Sequence, residues 1–228
     1  KEDFSMMKDV HATLCGTKSF YSSEGLDGIS VARQACGGHG FSSYSGFTSC
    51  YTEFSPNVTY EGDNTIMALQ TARYLLSCLQ KAQKGGKLQD NVEYLWNFNE
   101  TLSIQQCLIT KISQLNLGVI YEILKVNATQ LIFAAGKALM TGDGGFKEAW
   151  DKKAGIKLID AARGHINFFT YKAFWEKIDS EVPESSKLRE PLEKLCALYG
   201  IEKLLAFPIG LAETGYLNSK QFIMLRER

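Results

Sequence analysis

The sequence predicts an all-α protein built as two successive helical bundles, and three observations carry that prediction. Apolar residues recur at helical spacing through most of the 228 residues. No run of alternating apolar and polar residues reaches a convincing strand length. One polar, glycine-containing break, residues 81–90 with Lys84-Gly85-Gly86-Lys87 inside it, divides the chain, so the expected domains are residues 1–85 and 86–228.

Taken in order, residues 6–20 and 27–35 favour two short helices, the second stopped at Gly37-Gly38 where positive φ is available. Residues 38–60 mix Gly40, Ser42, Ser43, Ser45, Gly46 and Pro56 with aromatic anchors, the composition of a long irregular loop. Short extended structure is expected only at residues 51–60. A helix begins at Asp63-Asn64-Thr65, because Asp and Asn cap well. It carries apolar residues nearly all round as far as Leu79, which predicts a central, buried position.

Beyond the break, Ile112, Leu115, Val119, Ile120, Ile123 and Leu124 line one face of a long helix. Ile159, Ala162, Ile166, Phe169 and Ala173 repeat the pattern, and so do Leu188, Leu192, Leu195, Cys196 and Tyr199, with Gly200 expected to close that helix. Antiparallel bundle packing follows.

Composition excludes several functions. Lys plus Arg equal Asp plus Glu at 25 each, so no net field gathers nucleic acid or anionic membrane. The uncharged stretch at residues 204–212 is broken by Pro208 and Gly210 and falls far short of the roughly 20 residues of a membrane span, so none is expected. Six cysteines without a Cys-x-x-Cys pair, and three scattered histidines, lack zinc-ligand spacing and read as reduced, mostly buried thiols without a metal. Asn57, Asn99 and Asn127 each head an Asn-x-Thr triplet, a competing glycosylation signal, but no secretory leader is visible. The opening at Lys1 and the helical look of residues 225–228 give the expectation of a fragment of a longer protein.

Two segments carry candidate chemistry. Cys36-Gly37-Gly38-His39-Gly40 places bare backbone amides where a phosphate or a flat cofactor edge can approach, although a tight helix-ending turn explains the same residues. It follows no strand and lacks the Lys-Ser/Thr ending of a P-loop. Tyr60-Glu61-Gly62-Asp63 sets a carboxylate beside a glycine just before a helix, where acids are commonly structural because the helix dipole favours them. His39 reads as a hydrogen-bonding loop residue, His11 and His165 as packed or surface residues, and Cys36 has no basic partner to make it a nucleophile.

In joint order, Ala32-Arg33-Gln34-Ala35-Cys36-Gly37-Gly38-His39-Gly40-Phe41, Thr59-Tyr60-Glu61-Gly62-Asp63-Asn64-Thr65 and Leu69-Gln70-Thr71-Ala72-Arg73 resemble the C-terminal helical half of the peroxisomal acyl-CoA oxidase family. The match is densest over residues 28–80 and looser around Val10-His11-Ala12-Thr13 and after residue 90.

The resemblance implies an FAD enzyme that desaturates acyl-CoA at the α,β bond and reduces O2 to H2O2, in the peroxisome. It implies Glu61 as the base, Gln34, Gly37, Gly38 and Gly40 as a loop touching FAD across a homodimer interface, and Asp63 and Thr65 lining the cofactor. Gly62 and Arg73 match substrate-side positions, with an exposed salt-bridge arginine as the other reading of Arg73. A thioester α-proton is very weakly acidic, so the base works only if the forming enolate oxygen is stabilised; in the family a flavin ribityl hydroxyl and the glutamate's own amide do this. The helix start favours a Glu61 anion and enclosure by acyl chain and flavin opposes it, the second expected to prevail only with substrate bound. The rivals are an acyl-CoA dehydrogenase passing electrons to a flavoprotein, and a non-catalytic acyl-binding or dimerisation module.

Overall fold

The computed structural model describes residues 6–140 and 145–227, and among them there is helix and turn but no strand. Arg228, part of the expected terminal helix, lies outside the described residues. The chain forms two compact units, Lys1–Tyr74 and Leu75–Arg228. The division falls within a continuous helix, ahead of the polar break at residues 81–90 from which the 1–85 and 86–228 domains are drawn. A helix running through a boundary leaves no composition signal there.

In the first unit, α1 (Met7–Ala35) is one helix of 29 residues, not the two short helices expected. Gly25, inside this helix, lets the Phe54 ring approach, since an added Cβ would stand 2.7 Å from it. The supposed loop is also ordered: single-turn 3₁₀ segments at Gly37–Phe41, Ser43–Ser45 and Ser55–Val58 flank α2 (Phe47–Phe54). Residues 51–60 thus have no extended structure, because short polar side chains close local turns: Ser55 Oγ donates to the Thr52 carbonyl, Asn57 Nδ2 to the Phe54 carbonyl and Thr59 Oγ1 to the Pro56 carbonyl.

The opening turns of α3 (Asn64–Gln83) lie antiparallel to α1. Asn64 bonds Ser19, Ser22 and Ser23, Thr71 Oγ1 donates to the Ala12 carbonyl at 2.8 Å, and the Tyr74 hydroxyl donates to Asp9 at 2.9 Å. Each step forward on α3 matches one backward on α1. Ala68, Thr71, Ala72 and Leu75 are buried, but Ile66 is 50% exposed, so α3 has one inner face rather than burial all round.

The second unit takes in the last turns of α3 and continues through a 3₁₀ segment (Asp90–Leu95) and α4 (Phe98–Ser103), which bury Val92, Leu95 and Phe98. Its centre is α5 (Leu117–Met140) against α7 (Gly155–Glu181); between them stand the short α6 (Gly145–Glu148) and a π-helical stretch, Ala149–Ala154. The pair is antiparallel: Gly118 lies beside Trp175, and Gly164 lies against Ala128 and Leu131. The helix expected from Ile112 starts later, at Leu117, where Asn116 Oδ1 accepts from the Val119 amide at 2.9 Å; Ile112–Gln114 is a separate 3₁₀ turn.

α8 (Arg189–Ala206) runs through Gly200 instead of ending there. Gly200 is a packing glycine, because an added Cβ would sit 2.4 Å from Ile120 and 2.6 Å from the Tyr171 ring. α9 (Ile209–Thr214) and α10 (Ser219–Arg226) complete the unit, α10 being tied down by Gln221, which donates to the carbonyls of Cys107 and Ile109.

α5 is long and apolar enough to cross a membrane by length and composition, contrary to the expectation that no such segment exists. Glu122, Lys125 and Lys137 interrupt it without lowering its average hydropathy enough. Its residues Ile120, Ile123, Leu124, Val126, Leu131 and Ile132 are buried in the protein core.

Candidate active site

Glu61 and Gly62 form the turn that leads into α3. Glu61 has φ of 57°, the only positive value on a non-glycine residue among the described residues, and Gly62 follows at 105°. A left-handed conformation costs an L-residue about 1–2 kcal/mol, and such strain persists only where the surroundings over-determine it. Those surroundings are visible. Upstream, the Tyr60 amide donates to the Pro56 carbonyl at 2.9 Å, and the Tyr60 hydroxyl donates to Asn57 Oδ1 at 2.5 Å. Downstream, Lys18 Nζ donates to the Gly62 carbonyl at 2.5 Å and to Asn64 Oδ1 at 2.8 Å.

Asn64 is the hub. Its amide nitrogen donates to the Ser19 carbonyl and to the hydroxyls of Ser22 and Ser23 at 2.8–2.9 Å, while Ser19 Oγ donates to the Asn64 carbonyl at 2.7 Å. Lys18, Ser19, Ser22 and Ser23 were not among the residues that sequence singled out, and Asn64 was read only as part of the helix start. A lysine and three serines more than 40 positions from Asn64 leave no local signal.

Asp63 and Thr65 stand at the same helix start, both exposed, with Asp63 Oδ1 capping the Thr65 amide at 2.9 Å. The cap gives Asp63 a structural role beside any ligand role. Arg73 is exposed three turns further along α3.

The glycine segment follows the end of α1, and its glycines answer to different causes. Gly37, at φ of 57°, takes the left-handed position just past the helix end, the bland reading of this motif. Gly40 is buried, and a Cβ there would stand 1.9 Å from the Arg33 carbonyl oxygen, so the backbone itself forbids a side chain. Gly38 has neither a positive φ nor any atom within 4 Å of an added Cβ. The fold leaves Gly38 unexplained, and its exposed backbone is open to a ligand. Around it Gln34 is exposed, its amide turned onto Ser30 at 3.2 Å, and Phe41 and Tyr44 present their rings at 81% and 103% exposure.

The structure therefore groups the nominated residues into two clusters rather than one. Glu61, Gly62, Asp63 and Thr65 meet α1 at Lys18–Ser23 through the Asn64 network. Gln34, Gly37, Gly38 and Gly40 lie at the end of α1, roughly 24 Å away along its axis at 1.5 Å per residue.

Other titratable groups have structural explanations. His39 is exposed. Cys15 Sγ lies 3.6 Å from His11 Nε2, but burial raises the thiol's pKa, the opposite of nucleophile activation. His165 is buried and its pKa pushed down to about 4 by desolvation. The Tyr94 hydroxyl, which burial keeps protonated, lies 3.0 Å from its Nδ1. All six cysteines are free, three buried, Cys107 half-buried and Cys36 and Cys50 exposed, so only half match the expectation of buried thiols. Among the described residues no group of His, Cys, Asp or Glu is arranged to hold a metal. Asn127 is only 2% exposed, which removes it as a glycosylation acceptor in the folded chain.

Comparison with known proteins identifies the family. Residues 1–76 match the family described as acyl-CoA oxidase, C-alpha1 domain, and residues 116–228 match acyl-CoA oxidase. Peroxisomal acyl-coenzyme A oxidase 1 of Mus musculus is 32% identical over 205 residues, 87% of this chain and 31% of that protein. Acyl-coenzyme A oxidase acox-1.1 of Caenorhabditis elegans is 32% identical, over 98% of this chain and 33% of its own length. The acyl-CoA oxidase structure from tomato superposes with a TM-score of 0.93 at 27% identity, covering 99% of this chain and 34% of its own. Acyl-CoA oxidase-1 of C. elegans, complexed with FAD and ATP, gives 0.85 at 28% identity over 98% and 34%. The chain belongs to the acyl-CoA oxidase family. It spans about a third of the length of these relatives, and its helical fold corresponds to theirs.

Proposed function

We propose that this chain is the C-terminal, base-carrying part of a peroxisomal, FAD-dependent acyl-CoA oxidase, which converts acyl-CoA to trans-2-enoyl-CoA and reduces O2 to H2O2. The observation that carries the reading is Glu61: a carboxylate held in a left-handed turn by bonds on both sides, between a glycine and a helix start. A fold that needs only an acid at a helix N-terminus has no reason to keep it strained.

The residues present fit a flavin cofactor. Gly38 has open space where a side chain would stand, and Phe41, Tyr44 and Gln34 are exposed beside it. FAD, when bound, supplies the acceptor for the hydride leaving the β-carbon and passes the electrons to O2. Glu61 takes the α-proton onto its carboxylate, so the C–H electron pair moves into the forming α,β double bond as the β-hydride departs. Gly62, whose missing side chain lets the Met67 thioether close in beside the turn, is the substrate-side neighbour of the base, and Asp63 and Thr65 line the cofactor side. Arg73, exposed further along α3, meets the anionic coenzyme A end of the substrate. The roughly 24 Å along α1 between base and glycine segment supports a homodimer in which Gln34, Gly37, Gly38 and Gly40 serve the partner's FAD.

The test is oxygen-dependent turnover of the full-length protein. With FAD and a saturated acyl-CoA, H2O2 is expected to form without any added electron acceptor. Substrate-reduced flavin that persists in air would overturn the oxidase reading in favour of a dehydrogenase.

A further inference from the structure

We propose that Lys18 is a positioning residue for the base: its ammonium clamps the Gly62 carbonyl and thereby holds Glu61 in the left-handed conformation that aims its carboxylate. The proposal rests on the reading of Glu61 as the base.

Three features lead to Lys18. First, it bridges the two sides of the site, with Nζ 2.5 Å from the Gly62 carbonyl and 2.8 Å from Asn64 Oδ1, 44 and 46 residues away in sequence. Second, the choice of a lysine is chemically specific. Its partners are neutral oxygens, and among the described residues no carboxylate pairs with it, although the side chain is half-buried. Withdrawing an ammonium from water without a counter-ion is costly, and a neutral donor would satisfy the same acceptors at lower cost. What the cation adds is a charge-assisted bond about twice as strong as a neutral one.

Third, the bond acts where strain must be opposed. Glu61 lies between two pinned neighbours: Tyr60, tied to Pro56 and Asn57, and Gly62, tied to Lys18. Tyr60 is held by local contacts within the turn. Gly62 is held from α1. Releasing Gly62 lets Glu61 relax toward negative φ, and a base that moves by about 1 Å loses roughly a hundredfold in rate. Asn64 orients the ammonium by accepting from it while its amide is fixed on Ser19, Ser22 and Ser23.

The experiment uses the full-length, FAD-loaded protein and the variants Lys18→Met, Lys18→Arg, Glu61→Gln and the double variant Lys18→Met/Glu61→Gln. Anaerobic flavin reduction by acyl-CoA is expected to slow at least about tenfold in Lys18→Met with KM nearly unchanged, and Lys18→Arg is expected to restore most of it. In the Glu61→Gln background, Lys18→Met adds less than about twofold, because a residue acting through Glu61 has nothing left to position. Without substrate, hydrogen exchange at the Tyr60 and Thr65 amides is expected to quicken by about tenfold or more in Lys18→Met. Wild-type reduction and exchange in Lys18→Met would overturn the clamp while leaving the base in place. Rapid reduction by Glu61→Gln overturns the base, and the clamp's catalytic purpose with it. Should Lys18→Met not fold, Lys18→Gln is compared with Lys18→Arg by the same measurements and the same outcomes.

Discussion

Lowering the pH should destabilise the second unit through His165. This imidazole is 2% exposed, and desolvation lowers its pKa from 6.5 to about 4. The folded protein therefore keeps His165 neutral, with Nδ1 facing the Tyr94 hydroxyl at 3.0 Å. A depressed folded pKa means that the unfolded chain binds the proton first as pH falls. The stability due to neutral His165 is complete above 6.5 and declines between 6.5 and 4. Two-state linkage with those values gives a loss of about 2 kcal/mol by pH 5 relative to neutral pH. His165→Gln is the control, since it offers Tyr94 an acceptor but does not titrate. Urea unfolding of both proteins from pH 7.5 to 5 isolates the residue, because the other titrating groups contribute equally to each. The wild-type advantage, whatever its value at neutral pH, should shrink by about 2 kcal/mol. Parallel stability profiles would refute the neutral buried histidine.

Three further substitutions separate structural from functional glycines and acids. Gly40→Ala, with its Cβ driven to 1.9 Å from a backbone oxygen, should destabilise the first unit by about 1–3 kcal/mol in urea unfolding. Gly38→Ala should change stability by less than about 1 kcal/mol yet weaken FAD retention by the full-length protein, read as flavin-to-protein absorbance after dialysis. Glu61→Gly removes the left-handed strain at the cost of a more flexible unfolded chain, so melting should show stability unchanged or raised by up to about 1 kcal/mol while flavin reduction disappears. The isolated 228 residues, lacking two-thirds of the length of their relatives, should bind FAD poorly and show no turnover, which flavin absorbance after purification checks.

Much of this arrangement was legible in the residues. Helical periodicity identified α5, α7 and α8 as helices, because apolar residues tend to repeat at helical pitch, but it misplaced the inner face of α8: Leu188 and Leu195 are exposed, and Ala197, Ile201 and Leu204 are buried with Cys196. It failed where glycine was read as punctuation. Gly200, expected to close α8, lies inside it, against Ile120 and the Tyr171 ring contributed by a distant part of the chain. It failed again at residues 38–60, where serine and threonine side chains close successive turns instead of leaving a loop.

By itself, the sequence determined an all-helical chain of the acyl-CoA oxidase family and, by resemblance, nominated Glu61 as the base. Those facts reside in local order: apolar spacing, and three motifs in series. Only the tertiary structure decided what holds that glutamate. Its positive φ, the Lys18 bond to Gly62 and the serine cluster around Asn64 depend on α1 lying antiparallel to α3. Residues over 40 positions apart meet only when the helices pack, and neither segment carries a mark of the other. The same packing separated three glycines that look alike in sequence: Gly37 serves backbone conformation, Gly40 serves close approach to Arg33, and Gly38 is required by neither.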